Sequence, residues 1–101
     1  MQSNNELFEQ LNKLFGKCDA VKRAVLFGSR ARGDFREESD YDIAVFGSVP
    51  TAEKAVLRYS CREDLKTLHK IDLIFVEDQT DENLLNRIKE EGIVFYDKAH
   101  K

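Results

Sequence analysis

The spacing of hydrophobic positions changes several times along the chain, and each change marks an element. Leu7, Phe8, Leu11, Leu14 and Phe15 recur at helical spacing, which predicts an amphipathic helix capped by Asn4 or Asn5 and stopped at Gly16. Val21 to Phe27 then predicts a strand, apolar at its end, and Tyr41 to Phe46 a second strand closed by Gly47-Ser48-Val49-Pro50. Ala52, Ala55, Val56 and Tyr59 predict the apolar face of a helix that continues to about Leu68, ahead of a strand from Ile71 to Val76. Asp81 or Thr80 caps a further helix carrying Leu84, Leu85 and Ile88, which Gly92 ends. Ile93 to Tyr96 form a last short strand before a charged tail. Helices alternating with strands predict an α/β (α+β) fold: a small mixed β-sheet, three core strands and one short edge strand, with helices packed against it.

At 101 residues the chain has room for one modest core, so residues 1–101 read as a single domain without repeats or linkers. A net charge of −3 and a pI near 5.4 argue against a general nucleic-acid binder. The charge is uneven, however. Lys22, Arg23, Arg30, Arg32 and Arg36 face a single acid, Asp34, between positions 22 and 36, a local field suited to a small polyanion unless it is simply a solvated face. Cys18 and Cys61 have no CxxC companions and read as reduced thiols. No apolar run exceeds about four residues, so no membrane span is expected, and the polar start is not a signal peptide; the expected location is the cytoplasm.

The chemistry concentrates between Gly28 and Asp42, where one apolar run stops and the next begins. Gly28-Ser29 reads as a turn into a short helix or loop, where backbone N–H groups, the Ser29 hydroxyl and the nearby Arg30 and Arg32 suit phosphate. The spacing is neither a Walker A loop nor Gly-x-Gly-x-x-Gly. Asp40 and Asp42, two apart in a strand, share a face roughly 6.5–7 Å apart, within reach of one hard cation or two neighbouring ones. Asp72 interrupts an otherwise apolar strand and needs a cation or a wet edge. It lies either in solvent beside Lys70 or, if its strand neighbours the second, in a cluster with the first two acids.

Gly-Ser-x-Ala-Arg-Gly, then Ser-Asp-x-Asp opening a strand, then a lone Asp in a later strand, resembles the DNA polymerase beta-like nucleotidyltransferase superfamily, and within it the minimal nucleotidyltransferases (MNT). The closing Glu91-Gly92-Ile93-Val94-Phe95-Tyr96 is also similar to that family's end. The resemblance implies the nucleotidyltransferase fold. It implies that Gly28 and Ser29 hold the β- and γ-phosphates of ATP or another nucleoside triphosphate, with Arg32 behind them. It also implies that Asp40, Asp42 and Asp72 bind one or two Mg2+ ions, Asp72 helping to deprotonate the attacking hydroxyl. The implied reaction moves a nucleoside monophosphate onto a hydroxyl of a partner protein, as in antitoxins that adenylylate a small, separately encoded helical HEPN toxin. A non-catalytic nucleotide-binding module that neutralises its partner by occupancy is the alternative, and a nucleotide-sugar Asp-x-Asp enzyme usually needs a longer chain. Homodimer and hetero-oligomer both stay open. His69 and His100 read as solvated, Tyr59 as core, and Tyr41 as packing on the face opposite the aspartates.

Overall fold

The structure, a computed structural model, describes residues 4–65 and 67–100. Helix α1 spans Asn4–Gly16, strand β1 Arg23–Phe27, a single-turn helix α2 Ser29–Arg32, and strand β2 Tyr41–Phe46. They are followed by α3 Thr51–Glu63, β3 Ile71–Phe75, α4 Glu82–Glu91 and β4 Ile93–Asp97. The Asn4 and Asn5 side chains expected to cap α1, and that of His100, lie outside the described side chains.

The four strands form one mixed sheet in the order β3-β2-β1-β4. β1 is antiparallel to both β2 and β4, while β2 and β3 run parallel. Parallel neighbours need a crossover, and α3 supplies it. The expected edge strand β4 is an edge, and β3 is the other. In β4 the register shifts opposite Ala24 and Val25, and the bulge lets Phe95 and Tyr96 pack into the same core cluster.

Period-2 alternation divides the core between the two sheet faces. Tyr41, Ile43 and Val45 of β2 and Leu73 and Phe75 of β3 join Leu7, Leu11, Phe15, Leu57 and Cys61 from α1 and α3. Val25, Phe27 and Ala44 turn the other way, against Ile88 and Leu84 of α4. Asp81 is the α4 cap, its Oδ1 accepting the Asn83 N–H at 2.9 Å. Gly92 follows α4 with an ordinary φ of −65°; it is required by close approach, since a Cβ there would run into Val25 and the Ile88 carbonyl.

The α3 expectation needs correcting on two counts. The helix stops at Glu63, short of Leu68, and its buried stripe is Leu57, Ser60 and Cys61. Ala52, Ala55, Val56 and Tyr59 face outward, Tyr59 being 55% exposed. Two apolar stripes compete along this helix, and the sheet selects the one that lets Lys54 and Arg58 lie over the Phe75 ring, the Arg58 guanidinium 4.7 Å from its centre. Both cysteines are free and buried, as expected for reduced thiols, and burial pushes the Cys61 thiol up to about 12.

Candidate active site

Three chain segments meet at one end of the sheet because of the strand directions. β1 ends at Phe27 and runs straight into Gly28. β2 is antiparallel to it, so β2 begins at that same end, with Phe27 paired to Asp42. β3 is parallel to β2 and begins there too, with Asp42 opposite Asp72. The Gly28-Ser29 turn and the aspartates therefore share one rim of the sheet.

Asp42 is half-buried on the α4 face, whereas Asp40 and Asp72 are exposed. Burial, followed by the charges of Asp72 and Asp40, raises the Asp42 pKa above the ordinary carboxylate value, while Arg87 and Arg32 pull it back. The shift expresses burial first and like charge second. Asp72 stands at the exposed start of its strand and is paired in register with Asp42. Among the described residues no group of three or more His, Cys, Asp and Glu side chains forms a ready metal site. Hard carboxylate oxygens in such an open arrangement nevertheless suit magnesium, which commonly takes one or two carboxylates and completes its shell from substrate phosphates and water.

Gly28 has φ 78° and ψ −159°, a conformation essentially reserved for glycine. A Cβ there would strike the Asp42 carboxylate. Backbone and acid are thus as close as they can be without a side chain between them. α2 is one turn long and closes on Gly33, which is left-handed at φ 91°. Arg32 projects from it to pair with Asp34 at 3.2 Å and Glu91 at 3.0 Å, and both acids hold its guanidinium more firmly protonated.

Arg30, expected beside Arg32 at the phosphates, is used differently. Its guanidinium lies 4.2 Å from the Phe35 ring centre and 4.4 Å from that of Tyr41, on the sheet face opposite Asp42. It donates to the Glu37 carbonyl at 2.8 Å and the Ser39 carbonyl at 3.1 Å, pinning the segment that leads into Asp40. Stacking and a two-carbonyl fork outcompete an outward pose for this planar cation. His69 is not simply solvated either: its Nδ1 is 3.4 Å from Arg30 and its ring packs edge-on to Tyr41. Tyr41 is buried packing, as its alternation implied. Lys22 and Arg23 stand at the far end of β1, with Arg23 paired to Asp97, so the basic run in the sequence does not form one patch. Arg30→Lys is expected to cost about 1–2 kcal/mol, a fall in melting temperature of roughly 5–10 °C. An unchanged melting temperature with weakened nucleotide binding would return Arg30 to the phosphates.

Two residues of this rim receive no site role from the sequence, Glu91 being noted only within the closing stretch. Glu91, in the last turn of α4, accepts the Gly28 N–H at 3.1 Å, and Arg87 one turn earlier lies 3.9 Å from the Glu91 carboxylate. The available signal was their i, i+4 spacing just ahead of Gly92, which puts both on one side of the helix end.

Comparison with known proteins identifies the fold and the family. A candidate protein adenylyltransferase of Methanocaldococcus jannaschii is 44% identical over 50 residues, 48% of this chain and 50% of the relative. The chain spans about half the length of the curated relatives it matches. Among solved structures, a toxin–antitoxin complex with AMP-PNP superposes with a TM-score of 0.69 at 19% identity, covering 92% of this chain and 75% of the other. A complex of tri-AMPylated Shewanella oneidensis HEPN toxin with MNT antitoxin gives 0.63 at 20%, covering 99% and 76%. These likenesses establish the nucleotidyltransferase fold. Residues 9–101 match the family described as Polymerase beta, Nucleotidyltransferase, and with nearly the whole chain inside that match, the protein belongs to this family.

Proposed function

We propose that this chain is a magnesium-dependent nucleotidyltransferase of the minimal (MNT) type, which transfers AMP from ATP to a hydroxyl of a partner protein. The observation that carries the reading is the register of β2 and β3, which sets Asp42 opposite Asp72 on the rim that bears the Gly28-Ser29 turn. Metal-binding acids and a phosphate-binding turn are the two halves that a nucleoside triphosphate with magnesium requires.

In this mechanism the Gly28 backbone, the Ser29 hydroxyl and Arg32 hold the β- and γ-phosphates. Asp40, Asp42 and Asp72 would hold one or two Mg2+ ions, which would supply charge neutralisation to the triphosphate. The partner's hydroxyl oxygen forms a bond to the α-phosphorus. The bond from that phosphorus to the oxygen leading to the β-phosphate breaks, pyrophosphate departs with the electron pair, and Asp72 takes the hydroxyl proton.

The partner is proposed to be a separately encoded helical HEPN-type toxin, with this chain as its antitoxin in a hetero-oligomer. The solved neighbour that pairs an MNT antitoxin with a tri-AMPylated HEPN toxin supports this assignment. Among the described residues no helix is long and apolar enough to cross a membrane, in keeping with a proposed cytoplasmic location.

Calorimetric titration of ATP with and without Mg2+ tests the site. Binding at least about tenfold tighter with Mg2+ is expected, given the several kcal/mol a divalent ion contributes among these charges. Equal affinity without the ion would contradict the role of the three aspartates, and failure of all four nucleoside triphosphates to bind would remove the reading.

A further inference from the structure

Two of the three groups assigned to the nucleotide, the Gly28 N–H and Arg32, are already engaged by an anion of the chain itself. Glu91 reaches from the last turn of α4 across to α2 and divides its carboxylate between two groups. Oε1 accepts the Gly28 N–H at 3.1 Å, and Oε2 accepts from the Arg32 guanidinium at 3.0 Å. Arg87, 3.9 Å away, backs the same carboxylate, whose side chain is only 19% exposed. One backbone N–H and one guanidinium holding two oxygens of an anion is how phosphate oxygens are held. Resting on the nucleotide reading above, we propose that Glu91 is an internal competitor of the triphosphate, which must displace its carboxylate from Gly28 and Arg32 before it can seat.

The competition has a direct physical basis. The Gly28 N–H has one hydrogen to give, and an approaching polyphosphate otherwise meets a carboxylate of its own sign beside the Asp40, Asp42 and Asp72 charges. Arg32 and Arg87 are also the two cations that offset Asp42. When Glu91 gives way, Arg87 and the Arg32 Nη1 group that held its carboxylate turn to the incoming anion, while the Arg32 Nε stays paired with Asp34 at 3.2 Å. Glu91 therefore sets how tightly nucleotide is held and restrains the site when nucleotide is scarce.

The test is calorimetric titration of ATP with excess Mg2+ into wild type, Glu91→Gln and Glu90→Gln, with the unliganded melting temperature of each. Glu90 is exposed and carries the same charge change without reaching the loop. Glu91→Gln is expected to bind ATP about tenfold more tightly than wild type, the equivalent of one charge-assisted hydrogen bond no longer surrendered. Glu90→Gln is expected to match wild type, and the unliganded Glu91→Gln protein to melt no higher than wild type. Should Glu91→Gln fail to fold, Glu91→Asp withdraws the carboxylate by one methylene and is expected to tighten binding several-fold. If wild type binds ATP and the Glu91 variant binds it equally or more weakly, Glu91 supports the loop and the competition is overturned. If neither binds at millimolar ATP, the nucleotide reading itself fails and takes this inference with it. Tight binding by the Glu91 variant alone supports both.

Discussion

Asp42→Asn is expected to abolish nucleotidyl transfer, by at least about a thousandfold or roughly 4 kcal/mol in the barrier, while leaving the unliganded protein as stable as wild type or more so. The two effects have one cause. Asp42 is the half-buried acid of the proposed site, and burial together with Asp72 and Asp40 already holds its pKa above the ordinary value. Because the folded state keeps that proton to higher pH than the unfolded chain does, folding is favoured by protonation of Asp42. Stability falls as pH rises from the usual carboxylate range through the raised pKa, and is flat above it. An asparagine removes both the like charge and that slope. Subtracting melting curves of Asp42→Asn from those of wild type across pH 3.5–7 isolates the contribution, expected as a difference that grows with pH until the raised pKa is passed. A variant that loses activity and also melts well below wild type would mean that Asp42 is held by favourable partners, not strained by like charge.

Gly28→Ala is expected to do the most structural damage at the site. Its φ of 78° with ψ −159° is strained for any L-residue, and the added Cβ would meet the Asp42 carboxylate. The backbone strain alone is worth about 1–3 kcal/mol, and the collision adds to it, so the melting temperature is expected to fall by more than about 10 °C. Nucleotide binding is expected to be lost with it, because the backbone N–H moves with the strained residue. A double variant, Gly28→Ala with Asp42→Gly, separates the two contributions. Removing the Asp42 side chain is expected to recover the collision but not the φ strain, giving a coupling of about 1 kcal/mol or more. Full additivity would show that the two residues do not press on each other.

How much of this was legible depends on what sets each feature. The helical stripe from Leu7 to Phe15, the strands flanking Gly28 and Asp42, and the cap at Asp81 follow from local periodicity and turn chemistry, which a sequence displays directly. The opposition of Asp42 and Asp72 was legible only conditionally, since strand adjacency is a property of the α3 crossover and not of either strand. The α3 face was misread because Leu57 and Cys61 form a second stripe beside Ala52, Ala55, Val56 and Tyr59, and only the sheet beneath decides between them. Arg30 was misplaced because its competing partners, Phe35, Tyr41 and the Glu37 and Ser39 carbonyls, come together only when the loop folds back. Glu91 lies 63 residues from Gly28 and was hidden for the same reason. Local signals located the turn and the acids; tertiary closure determined which charged groups surround them.

The most direct test of the central claim follows the label from ATP. Purified protein with Mg2+ is mixed with a lysate of the source organism and given ATP labelled at either the α- or the γ-phosphate, with Asp42→Asn in parallel. The proposed mechanism predicts a protein band labelled from α-labelled ATP with wild type only, no band from γ-labelled ATP, and release of labelled pyrophosphate from the γ-labelled substrate. A band labelled from the γ-phosphate, an α-labelled band equally strong with Asp42→Asn, or no transfer from any α-labelled nucleoside triphosphate would contradict it.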